Sequence, residues 1–299
     1  TYGMGCGLRA GELHCWGTGA TPVTVLPAET EAPVRVGTAT GYTSVALSQE
    51  HACTVRDGTL ECWGANYFGQ LGDGTLDDRE QPVPVAAGGP WSDVAAGWDG
   101  TCAREAAGTL RCFGSDYSGE LGRGNGNLVM FPVETGAGSD FVELAFGNEH
   151  VCAIRAGGSL WCTGAADGGG NGTDPARDLF EWTRVGEAND WLRGFSDVQA
   201  TCGLRGTAGS SSGSLWCFGG TLGPMAQRGT DTDWVDVSVA DGHACGLKSD
   251  GKLWCFGQGA RGVLFDGNTS ARPEPFETGG GLVYVDVSTG VNGTCAVRD

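Results

Sequence analysis

The chain has 299 residues, with 18 Lys and Arg against 36 Asp and Glu, for a formal net charge of −18. A surface of that sign repels phosphate, which argues against nucleic-acid binding and against docking on anionic membranes. Fifty-five glycines disfavour long helices and no run approaches 18 consecutive apolar residues, while 10 Trp and 11 Phe supply ample material for a core. The chain opens at Thr1 without a basic and apolar leader, as expected where a signal peptide is already absent.

In chain order the first readable element is a hairpin with Cys6 and Cys15 about Ala10-Gly11, followed by Pro-Val strands at Pro22 and Pro33. Tyr42-Thr-Ser-Val-Ala then opens a unit whose hairpin, His51 to Gly64, carries Cys53 and Cys62 around Asp57-Gly58. That dipeptide is a strong signal for a two-residue type I′ turn. A Gly-rich loop and a Pro-Val strand at Pro82 complete the unit. Trp91-Ser-Asp-Val-Ala opens the next, with Cys102 and Cys112 and a Pro-Val strand at Pro132. Cys152 and Cys162 mark a fourth hairpin, Cys202 and Cys217 a fifth, and Cys245 and Cys255 a sixth. Phe195-Ser-Asp-Val-Gln and Trp234-Val-Asp-Val-Ser lead into the last two. A partial unit holds Cys295 alone.

First cysteines recur at intervals of 47, 49, 50, 50, 43 and 50 residues, the mark of a repeat architecture. Each repeat offers about four short strands separated by Gly, Asp and Asn turns, which suits a propeller blade. The expected fold is therefore all-β: one seven-bladed β-propeller domain over residues 1–299, incomplete at the termini. Its repeat hairpins lie near 6–15, 53–62, 102–112, 152–162, 202–217 and 245–255, with a partial one at 295.

Folding about Asp57-Gly58 sets Arg56 opposite Thr59, Val55 opposite Leu60, Thr54 opposite Glu61 and Cys53 opposite Cys62. The last is a non-hydrogen-bonded pair with Cα atoms roughly 4.5 Å apart, within disulfide reach. Six bridges within repeats follow as an expectation: Cys6–Cys15, Cys53–Cys62, Cys102–Cys112, Cys152–Cys162, Cys202–Cys217 and Cys245–Cys255. They place the chain in an oxidising compartment, extracellular or at the cell surface. Neither C-x-x-C spacing nor a second nearby pair suggests a metal site.

The Gly/His-x-Cys-x-Leu strand, the Asp-Gly-x-Leu-x-Cys-Trp-Gly strand and the tails Asn66-Tyr-Phe-Gly-Gln-Leu-Gly-Asp-Gly-Thr75 and Asp116-Tyr-Ser-Gly-Glu-Leu-Gly-Arg-Gly124 resemble the regulator of chromosome condensation repeat family. The resemblance covers essentially the whole chain and is nearest to cysteine-paired bacterial surface forms. It implies a propeller whose faces contact proteins. The nuclear founder, which activates a small GTPase and touches chromatin, fits an acidic, cysteine-rich chain poorly. The Gly-Trp-x-x-Thr motif of a plant photoreceptor relative occurs once, at Gly97 to Thr101. A secreted relative inhibits β-lactamases with loops on one face.

Two termini interrupt the repeat: the chain starts inside a cysteine hairpin and stops after Cys295-Ala-Val-Arg-Asp299. Truncation and completion by another chain are both open, and Cys295 is read as an intermolecular or unpaired thiol. His51, His150 and His243 recur two residues before a cysteine, the position for structural hydrogen bonds. Gly209-Ser-Ser-Ser-Gly213 matches the nucleophile motif literally but reads as a hairpin tip. Asp77-Asp78 and Asp231-Thr-Asp233 read as solvated turns, and Asn171, Asn268 and Asn292 head glycosylation sequons. Trp16, Trp63, Phe113, Trp161, Trp216 and Trp254 flank second cysteines and read as packing between blades. The irregular stretches Gly206–Gly213 and Gly168–Asn171 are where a specific contact is expected.

No catalytic residues, metal ligands or cofactor are expected. The function expected is a non-enzymatic binding or assembly module, with proteins or copies of itself as partners and filament growth through an open strand edge. A secreted inhibitor of a foreign enzyme and a carbohydrate-binding adhesin are the alternatives.

Overall fold

The computed structural model describes residues 3–18, 30–166, 169–172, 177–197, 199–240, 242–290 and 293–298. They form an all-β propeller of antiparallel sheets. Five sheets have four strands, covering 42–84, 91–135, 141–184, 191–227 and 234–277 (blades 2 to 6). Blade 1, over 3–35, has three strands. In every complete blade the strands pair in sequence order, A-B-C-D. In blade 2 these are Tyr42–Leu47, His51–Arg56, Thr59–Gly64 and Arg79–Pro84. From blade 2 onward strand A lies against strand A of the next blade, so the A strands line the axis and the D strands form the rim.

The expectation of seven blades is corrected here to six. Beyond blade 6 there is a two-stranded sheet, Tyr284–Gly290 with Gly293–Arg298, equivalent to strands A and B. Among the described residues no further strand pairs with this sheet. Among the described residues blade 1 shows the B, C and D equivalents.

Each B–C hairpin is set by its turn. Asp57 and Gly58 both take positive φ, 50° and 78°, as a type I′ turn requires. The register then runs Arg56 to Thr59 through Cys53 to Cys62. Cysteines face each other in all six hairpins, with Cα atoms 4.0 or 4.1 Å apart, and each pair is joined by a disulfide. Strand C ends at a glycine because the chain bends there against the A–B loop. At Gly64, φ is 111° and an added Cβ would lie 2.4 Å from the Glu50 carbonyl oxygen. Gly114, Gly164, Gly219 and Gly257 repeat the arrangement against Asp99, Glu149, Gln199 and Gly242.

Residues following the second cysteine fill the space between blades: Trp63, Phe113, Phe218 and Phe256 are all buried. Each contributes about 1.5–3 kcal/mol by leaving water. Pro33, Pro82 and Pro132 fall on D strands, the outer edge where a missing N–H costs least. Pro22 lies outside the described residues. Among the described residues no helix is long and apolar enough to cross a membrane.

Candidate protein-binding face

A four-stranded meander reverses direction at each turn, so the A–B and C–D connections share one end of the ring. The B–C turns and the links between blades share the other. At the first end, three latches join blades, two of them buried and the third partly so. Thr101 Oγ1 donates to the Gln70 carbonyl oxygen at 2.8 Å and contacts His51 Nε2 at 2.8 Å. Thr201 does the same with Gly170 (2.9 Å) and His150 (3.0 Å), and Thr294 with Val263 (2.9 Å) and His243 (3.1 Å). With its own proton committed to a carbonyl, each threonine oxygen accepts from the imidazole, which fixes the Nε2–H tautomer. Burial holds His51 neutral, its pKa pushed down to about 3, and that of His150 to about 4. These imidazoles are bridges between blades.

Carboxylates crowd the same end. Asp99, in the A–B loop of blade 3, is pushed up to about 6 by burial and then by Glu50 and Glu149 in the A–B loops on either side. Glu120, in the blade 3 C–D loop, is pushed up to about 7 by burial. It accepts from Ser118 N at 2.7 Å and Ser115 Oγ at 3.1 Å. Asn66 ties the blade 2 C–D loop together, its amide donating to Asp73 Oδ1 and to the Thr75 and Asp77 carbonyls at 3.0–3.2 Å. On this packed frame Tyr67, Trp98 and Tyr117 stand 55%, 41% and 84% exposed.

The family described as Regulator of chromosome condensation (RCC1) repeat matches residues 57–104 and again 234–263. The chain carries RCC1-like repeats. No curated protein matches it by sequence. Among solved structures, human WBSCR16 superposes with a TM-score of 0.83 at 16% identity, covering 96% of this chain and 81% of its own. Prp20p from Saccharomyces cerevisiae gives 0.81 at 17% identity, covering 99% and 80%; that structure is described together with its binding to Gsp1p and histones. The ectodomain of the Arabidopsis thaliana receptor kinase ACR4 gives 0.55 at 16% identity, covering 98% and 86%. These likenesses establish the propeller fold.

The RCC1-like ring redistributes the residues singled out from sequence. The stretch Gly206–Gly213 lies at the B–C end with residues 207–211 exposed, while Gly213 is buried and exchanges backbone hydrogen bonds with Trp234 of the next blade. Gly168 lies outside the described residues, as does Asn292. Asn171 is buried, with its amide donating to the Gly164 and Arg177 carbonyls, which closes that sequon in the folded chain. Asp231 and Asp233 face Lys248 at 2.5 and 3.8 Å, so this acidic turn is an ion-pair partner. Cys295 is exposed on the two-stranded sheet, without a disulfide. Among the described residues no group of three His, Cys, Asp or Glu is placed to hold a metal ion.

Trp161, Trp216 and Trp254 sit before the second cysteine, nearer the B–C turn than Trp63 or Phe113, and each carries a cation on its ring. The exposed aromatics of the opposite end escaped the sequence reading. Tyr67 and Tyr117 stood inside the quoted tails, but only the ring shows that they surface beside Trp98.

Proposed function

We propose that the chain is a non-enzymatic, protein-binding propeller that works in an oxidising extracellular or cell-surface setting, with residues 1–299 acting as one domain. The aromatic side chains exposed together at the A–B and C–D end of blades 2 to 4 carry this reading. Solvated rings of that size are the residues that interfaces bury. Disulfides across six short hairpins support the compartment, because cytosolic thiol pools keep such cysteines reduced. The described binding of Prp20p to other proteins supports protein recognition as a use of this scaffold.

The test is capture from extracellular fluid with the oxidised chain as bait, followed by reconstitution from purified components. A purified partner binding with a micromolar or tighter Kd supports the reading. An enzyme that loses activity in the complex makes the chain an inhibitor, and capture of its own copies makes it an assembly subunit. Selective binding on a glycan panel without any protein partner, or turnover of an ester or glycan panel, overturns it.

A further inference from the structure

Exposed aromatic residues are unevenly distributed around the ring. Among the described residues six of the seven exposed aromatics gather at the A–B and C–D end of blades 2, 3 and 4, namely Tyr67, Phe68, Trp98, Tyr117, Phe131 and Phe180, while Phe265 stands apart in the C–D loop of blade 6. Contacts between the loops that carry them join the three blades. Gly69, next to Phe68, lies against Met130 at the start of strand D in blade 3, and Gly74 lies against the Phe131 ring. Gly119, two residues past Tyr117, lies against Phe180 of blade 4 in the same way. Trp98 N donates to the Asn148 carbonyl at 3.0 Å, and Ser118 Oγ donates to Glu149 at 3.3 Å, which ties in the A–B loops. The glycines explain the exposure. An added Cβ at Gly69, Gly74 or Gly119 would meet the neighbouring blade at 3.0 Å or less, so these loops lie flat and the flanking rings turn outward.

Charge decides what such a surface takes. Segments 48–50, 65–78, 97–99, 115–128 and 147–149 carry eight carboxylates: Glu50, Asp73, Asp77, Asp78, Asp99, Asp116, Glu120 and Glu149. Their one cation is Arg123. Neighbouring Arg79 is already held by Asp73 at 2.6 Å, and Arg123 lies beside Asp116. At the other end Asp140 and Asp190 are each neutralised by an arginine of their own blade, Arg155 and Arg205, both at 2.7 Å. Aromatic faces beside unpaired carboxylates suit a cation twice over, through the ring quadrupole and through Coulomb attraction. An anionic partner would be repelled by both.

We infer that the A–B and C–D end of blades 2 to 4 docks a segment of another protein rich in arginine or lysine, with Tyr67, Trp98 and Tyr117 stacking on the cations and Glu50 and Glu149 pairing with them. This rests on the protein-binding reading above and specifies its face and chemistry. The trapped carboxyls Asp99 and Glu120 lie beneath this layer and set its shape.

The experiment uses the full oxidised chain and a fluorescent octa-arginine peptide, with octa-glutamate and a Gly/Ser octamer as controls, read by anisotropy at 50 and 300 mM salt. Octa-arginine should bind, weaken about tenfold or more at the higher salt, and bind far more tightly than either control. Trp98→Ala and Tyr117→Ala should each weaken it about fivefold. The pair Glu50→Gln with Glu149→Gln should weaken it further and flatten the salt dependence. Glu187→Gln with Asp250→Asn, at the opposite end, removes the same charge and should change affinity less than twofold. Equal losses from the two charge pairs, or no loss from the aromatic variants, would mean diffuse attraction and overturn the assignment. A captured partner that still binds the face variants would overturn this face while leaving the protein-binding reading intact. The variants change only exposed or half-buried side chains, and circular dichroism checks that each folds.

Discussion

Blades 2 and 3 and blades 4 to 6 solve the same local problem in different ways. The last residue of strand B points a charge at the residue before the second cysteine. In blade 2 Arg56 meets Glu61 at 2.6 Å, and in blade 3 the signs are exchanged, with Arg111 on Glu105 at 2.7 Å. In blades 4 and 5 a tryptophan takes the place of the charged partner: Arg155 lies 4.9 Å from the Trp161 ring and Arg205 4.5 Å from Trp216. In blade 6 Lys248 lies 3.7 Å from Trp254. The missing carboxylate reappears just before strand A, as Asp140, Asp190 and Asp231, at 2.7, 2.7 and 2.5 Å from the cation. At the residue before strand A in blades 2 and 3 stand Gly41 and Pro90. Charge is therefore balanced within each blade, and the acid moves to the A-strand entry when an aromatic occupies strand C.

The largest way to break this comparison is Trp254→Ala. It removes a half-buried ring and strips the nearly buried Lys248 ammonium of its platform, which should cost about 3 kcal/mol in urea unfolding. Exchanging the blade 3 pair comes next. Glu105→Arg alone sets two guanidiniums together and should cost about 2 kcal/mol. Adding Arg111→Glu recreates the blade 2 order and should recover most of that loss, leaving the Gly89 N–H that Glu105 accepts as the residual. If the double variant is no better than the single, sign exchange between blades is not neutral.

The latches give a further contrast, because blades 2 and 4 have His51 and His150 where blade 3 has Gly100. Thr101→Val leaves the Gln70 carbonyl and His51 Nε2 unsatisfied and should cost about 1–3 kcal/mol. The pH dependence follows. The unfolded chain protonates His51 and His150 near 6.5, while the fold resists until about 3 and about 4, so their contribution is lost as pH falls below 6.5. Glu120 acts oppositely. Protonated in the fold up to about 7 but only to 4.5 when unfolded, it loses its contribution as pH rises through that window. His51→Asn should flatten the acid limb of the urea midpoint, and Glu120→Gln the alkaline limb. The smallest effect is expected from Glu187→Gln, whose 98% exposed side chain sits 3.8 Å from Arg184 and should change stability by less than about 0.5 kcal/mol. Alkylating the unreduced, denatured chain should leave all twelve hairpin cysteines unmodified.

The sequence by itself determined the repeat, the four strands of each unit and the register of each hairpin. Those depend on residues 9 to 15 apart, joined by turns whose chemistry fixes which side chains oppose. It left undivided the aromatics beside the second cysteines. Trp63 and Trp161 look alike in one dimension, yet one is sealed between blades and the other supports Arg155. Only the tertiary structure decided that six blades form, that Thr101 latches to a histidine 50 residues away, and that Tyr67, Trp98 and Tyr117 surface at one end. Those outcomes depend on how a blade meets its neighbour across about 50 residues of intervening chain, a distance at which no turn or side-chain alternation carries information.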